Sequence, residues 1–125
     1  MDPWRATEEF GRAIGLAGLT LDSGEASFEI ESGASLGLLL RDRYILVHVR
    51  QPVPHADASL SLRALQSVEA RDRHGFVLQV GSRGSGSDFC LVGTVRLLES
   101  QLSPESLLKA AEQLLSWAES LSQPV

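Results

Sequence analysis

Two periodicities divide this chain. From Ala26 to Glu31 apolar and polar residues alternate strictly, with Ala26, Phe28 and Ile30 on one side and Ser27, Glu29 and Glu31 on the other. That two-residue period predicts a half-buried antiparallel strand. From Ser103 to Leu121 the period lengthens, and Leu107, Leu108, Ala111, Leu114, Leu115, Ala118 and Leu121 form one stripe of an amphipathic helix. Ser103, Pro104 and Glu105 open it with a capping hydroxyl, a proline in the first turn and an acid facing the positive end of the dipole.

The rest of the pattern fills in around these two. A short helix is predicted from Pro3, capped by Asp2, with Thr7, Phe10, Ala13, Ile14 and Ala17 on its apolar side and Gly15 and Gly18 closing it. Residues 36–40 and 44–50 read as strands that are apolar on both faces, reversed through 41–43. The resulting meander has one thinly covered face, which requires a ligand or a neighbour. Pro52 and Pro54 break the sheet. A second helix, capped by Asp57 or Ser59, is predicted to run to about Arg73 with Leu62, Leu65 and Val68 as its stripe, and His74 and Gly75 stop it. Residues 76–80 and 89–97 are the remaining strands, joined by the glycine- and serine-rich loop 81–88. The predicted fold is α+β: helix, three-strand antiparallel meander, helix, strand hairpin, helix, with one twisted sheet carrying the helices in a single domain over residues 1–125.

Composition narrows the function. A chain of 125 residues supports one core but leaves apolar surface over, so dimerisation is expected. A net charge of -5 argues against nonspecific nucleic-acid binding, which depends on neutralising phosphates. The lone Cys90 excludes an internal disulfide, fits a reducing compartment, and in an apolar strand reads as a buried, inert thiol. Met1 to Arg5 lacks the apolar run of a signal peptide, and no stretch approaches the ~20 apolar residues that span a bilayer. A cytoplasmic location is expected.

No residue set announces a reaction. The loop 81–88 lacks the Gly-Lys-Ser/Thr ending of a phosphate loop and leads into a strand instead of a helix N-terminus. His48, His55 and His74 lack a second ligand at a metal-binding spacing, so no metal or other cofactor is expected. No Gly-x-Ser-x-Gly elbow supports hydrolysis. Glu8 and Glu9, and Glu29 with Glu31, read as solvated faces, and Trp4 and Trp117 as core or interface packing. An acidic protein with surplus apolar surface and no reactive centre points to protein binding, by addition to a sheet edge or in a groove. The alternative is a small ligand-binding or enzymatic α+β domain with its pocket between the sheet and the last helix.

The order of elements also carries a family resemblance. The helix ending in Ile14-Gly15-Leu16, the junction Leu19 to Gly24 before the first strand, and the closing strand from Cys90 to Leu97 with the helix from Ser103 to Leu121 resemble the class I chaperones of bacterial type III secretion. Met1 to Trp4 and the closing strand and helix are similar to the small subunit of the paired chaperones that hold the secretion gatekeeper. The resemblance implies a non-catalytic dimer that keeps a nonglobular segment near the N-terminus of a secreted effector or gatekeeper protein ready for export. It further implies cargo contacts at Phe10, Ile14, Phe28, Ile30, Leu38 and Leu40. The dimer interface it implies comprises Leu62, Leu65, Val68, Phe76, Leu78 and Val80. The predicted second helix is poor in large apolar residues and carries Arg63, Glu69, Arg71, Asp72 and Arg73, which favours an unlike partner chaperone over a symmetric homodimer.

Overall fold

The computed structural model describes residues 2–53 and 76–121. Helix α1 (Pro3–Ala13) begins as the sequence predicts: the Asp2 carboxylate accepts from the Trp4 amide at 3.2 Å, and Pro3 takes the first helical position. Its buried side is Ala6, Thr7, Phe10 and Gly11, one turn nearer the N-terminus than the predicted stripe. Ala13 and Ala17 are exposed, because the helix ends at Ala13 and the chain folds back over Gly11. A Cβ on Gly11 would stand 2.7 Å from the Cβ of Leu19, so only glycine admits this return. Thr7 enters the core without an orphaned donor, its hydroxyl donating to the Pro3 carbonyl at 2.8 Å.

Five strands follow: β1 (Glu25–Glu29), β2 (Ser35–Arg41), β3 (Tyr44–Pro52), β4 (Leu78–Arg83) and β5 (Cys90–Leu98). They form one antiparallel sheet in the order β1-β2-β3-β5-β4, with β1 and β4 at its edges. Several boundaries differ from the sequence reading, the first being β1, which ends at Glu29 and leaves Ile30 and Glu31 outside the strand. β3 continues to Pro52, which is tolerated because β2 pairs only as far as Arg50 and the proline lies beyond it. β4 starts at Leu78 and runs into the predicted loop, where Gly81, Ser82 and Arg83 pair with Val92, Leu91 and Cys90. The predicted second helix lies outside the described residues.

Helix α2 (Pro104–Leu121) lies across β3 and β5 and against α1. Its start is secured reciprocally: the Ser106 amide donates to the Ser103 hydroxyl at 3.0 Å, and the Ser103 amide donates to the Ser106 hydroxyl at 2.9 Å. The buried stripe contains Ala110, Gln113 and Trp117 besides the predicted residues, while Leu108 and Leu115 are only half-buried. Trp117 packs on β5 at Gly93, where an added Cβ would stand 2.8 Å from the indole. The core is therefore a filled layer between sheet and helices, built from Leu36, Leu38, Ile45, Val47, Val49, Val95 and Leu97 below and Phe10, Leu107, Leu114 and Trp117 above. The alternative expectation of a ligand pocket in this layer meets packed side chains instead.

Candidate interaction surfaces

Strand alternation assigns each residue to the helix-covered face or to the opposite face, which is open among the described residues. Phe28 pairs with Leu36 and shares the covered face with Leu38 and Leu40. Of the six residues implicated in cargo contact, Phe10 and Leu38 are fully buried at 0% and 1% exposure, whereas Ile14, Phe28, Ile30 and Leu40 are half-buried at the margin of the core. Of the six implicated in a dimer interface, Leu78 is buried, and Phe76 and Val80 are half-buried at the β4 edge beside the exposed Val77. Leu62, Leu65 and Val68 lie outside the described residues, as do His55 and His74.

Leu40 borders a groove of about 420 Å³ between the start of α1 and the β2–β3 turn. Pro3, Trp4 and Tyr44 wall it, Leu102 closes its base, and Arg41, Asp42, Arg43 and Glu99 surround its mouth. Trp4 is 54% exposed although it is among the largest apolar side chains in the protein. It precedes Ala6, the first buried residue of α1, and so belongs to the end of the helix that the core does not use. Trp4 is thus not part of the core, one of the two packing roles expected for it, and its ring is presented at the groove. The Arg96 guanidinium lies 5.5 Å from the centroid of the Tyr44 ring.

The open face forms a second hollow, of about 590 Å³, lined only by strand residues. Register lays His48 beside Gly37 on β2 and Thr94 on β5. The imidazole occupies the space over Gly37 that a side chain there would need. Burial holds the His48 pKa below the usual 6.5, with the positive charges of Arg50 and Arg83 acting in the same direction and Glu25 in opposition. The folded protein therefore resists protonation where the unfolded chain accepts it. The contribution of neutral His48 to stability is complete above about pH 6.5 and declines as pH falls below it. His48→Gln is expected to flatten that part of the pH–stability curve between about pH 7 and 5 in urea titrations, and an unchanged slope would refute the assignment.

Among the described residues no group of three or more His, Cys, Asp or Glu is placed to hold a metal ion, and no helix is long and apolar enough to cross a membrane. Cys90 is buried in β5. No protein-family model and no curated relative matches the sequence. Solved structures do match. One chain from a crystal structure of the ExsC–ExsE complex superposes with a TM-score of 0.71 at 21% identity, over 96% of this chain and 93% of that one. A chain from the HopA1–SchA chaperone–effector complex gives a TM-score of 0.69 at 17% identity, over 94% and 90%. The fold is that of the class I type III secretion chaperones. At these identities side chains are free to diverge, so the surfaces of this chain must be read from its own residues. The Trp4 groove and the arginine-lined open face are two such surfaces.

Proposed function

We propose that this protein is a non-catalytic type III secretion chaperone, which binds a nonglobular segment of a secreted effector or gatekeeper protein and keeps it export-competent in the bacterial cytoplasm. The observation that carries this reading is the near-complete superposition on a chaperone solved together with its effector. The exposed Trp4 at a groove beside α1 supplies an aromatic anchor for an extended segment, which accords with a binding role. Half-buried Phe28, Ile30 and Ile14 offer further apolar contact at the margin of the covered face, whereas Phe10 and Leu38 belong to the core. A second chaperone subunit, like or unlike, pairs through the β4 side, where Val77 is 71% exposed and the edge of the sheet is unpaired among the described residues.

Co-expression with secreted proteins encoded beside this one tests the reading. The expected result is a soluble complex in which the cargo's N-terminal segment is protected from proteolysis. Trp4→Ala is expected to weaken that complex by about tenfold or more while shifting the unfolding midpoint little, since the side chain is largely outside the core. Failure to retain any secreted protein, together with turnover of a small molecule, would overturn it.

A further inference from the structure

Charge is sorted by layer in this molecule. The helices carry exposed glutamates, Glu8 on α1 and Glu105, Glu112 and Glu119 on α2 among them, and the two arginines of α1 are engaged by Glu8 and Glu9. The open face of the sheet is the reverse. Arg41, Arg50, Arg83 and Arg96 all stand on it, exposed, and among the described residues none has a carboxylate within ion-pair distance. The acids on its strands, Glu25 and Glu29, are both on the edge strand β1, and Asp88 of the β4–β5 connection borders Arg50 and Arg83 without an ion pair among the described residues. Glu29 is two strands from Arg50 in the paired row Glu29, Ser35, Arg50, and Glu25 is three strands from Arg96 in the row Glu25, Leu39, Leu46, Arg96. At about 4.8 Å per strand these separations exceed a salt bridge. Positive charge is therefore concentrated over β3, β5 and β4, around an apolar floor of Leu46 and Val92. Burial is the main cause of the lowered His48 pKa, and Arg50 and Arg83 add to it in the same direction.

We infer that the open face is a docking surface for an acidic polypeptide segment of another protein, its carboxylates paired with Arg50, Arg83 and Arg96 and its apolar side chains seated over Leu46 and Val92. Guanidinium groups suit this task, because each can grip a carboxylate through two parallel hydrogen bonds. A second copy docked open face to open face would set one positive patch against another, which disfavours that occupant. A nucleic acid would extend its phosphates beyond the patch onto the acidic remainder of the chain. The surface adjoins the Trp4 groove at Arg41 and Tyr44, while Arg50 and Arg83 lie outside that groove and remain available to a partner when cargo occupies it.

Fluorescence anisotropy of the full chain with a labelled short peptide alternating Glu with Leu and Thr tests the inference. Binding is expected to weaken as salt is raised, and to fall about tenfold in Arg50→Glu/Arg83→Glu. Arg50→Gln/Arg83→Gln should lose about threefold, which keeps the test valid if the charge-reversed pair fails to fold. Trp4→Ala and Lys109→Glu should bind the peptide as the parent does, which separates this surface from the cargo groove. Equal binding of the same peptide with Lys in place of Glu, unchanged affinity in the glutamine pair, or tighter binding of a single-stranded oligonucleotide would overturn it. So would a dimer of the parent chain that the glutamate pair dissociates.

Discussion

Trp117→Ala is expected to destabilise the protein by about 3–5 kcal/mol, the range for removing a fully buried large aromatic. The indole stands between its own helix and β5 at Gly93, beside Leu114 of the same helix, whose Cδ2 also approaches Gly93. For a domain of this size the melting temperature should fall by roughly 10–20 °C. Trp117→Phe should cost much less, since it keeps most of the volume and removes an indole N–H that lacks a partner among the described residues. Gly93→Val should destabilise by about 1–3 kcal/mol in the parent by driving a side chain into the ring, yet by less in Trp117→Ala, where it enters the vacated space. A double-mutant cycle by urea denaturation measures this coupling. Additive losses would show that the two residues do not share one packing site.

Phe10→Ala and Leu38→Ala should also act on the fold before they act on binding. Both side chains are fully buried, and their truncation is expected to cost about 3–5 and 2–5 kcal/mol, respectively. Loss of cargo binding in either variant should track the fraction unfolded and recover when the folded state is favoured by an excluded osmolyte. Trp4→Ala should show the opposite pattern, with binding lost and folding retained. Affinity measured beside chemical denaturation for the three variants separates the classes. A Phe10→Ala protein of parental stability that does not bind cargo would return Phe10 to the binding surface.

Element order among the described residues was legible in the sequence because each element carries its own period and its own stops. Asp2 with Pro3, Ser103 with Pro104, and the alternation from Ala26 to Glu29 set local structure that tertiary contacts did not override, whereas Ile30 and Glu31 lie beyond the strand. Boundaries were less legible where pairing decides them: Gly81, Ser82 and Arg83 have turn-like composition, yet the adjacent strand gives their backbone partners. The candidate site was legible only by region. Periodicity places Phe10, Leu38 and Leu40 on apolar faces, but whether such a face is covered depends on how α1 and α2 are docked, which no local pattern encodes. Trp4 was assigned to core or interface packing because it sits in a helix beside apolar neighbours. Its place before the first buried residue of α1 leaves it at the surface instead. The arginines of the open face were visible singly, at 41, 50, 83 and 96, but only register across three strand pairs gathers them.

The two tryptophans are the only ones in the chain, and they occupy opposite environments: Trp117 is sealed at 0% exposure and Trp4 stands at a groove. Nature has thereby supplied two optical reporters that need no label. Iodide should quench the red-shifted emission of Trp4 and leave the blue-shifted emission of Trp117, so that a bound segment shielding the groove and a loosening of the core register as separate spectral events in one unmodified sample.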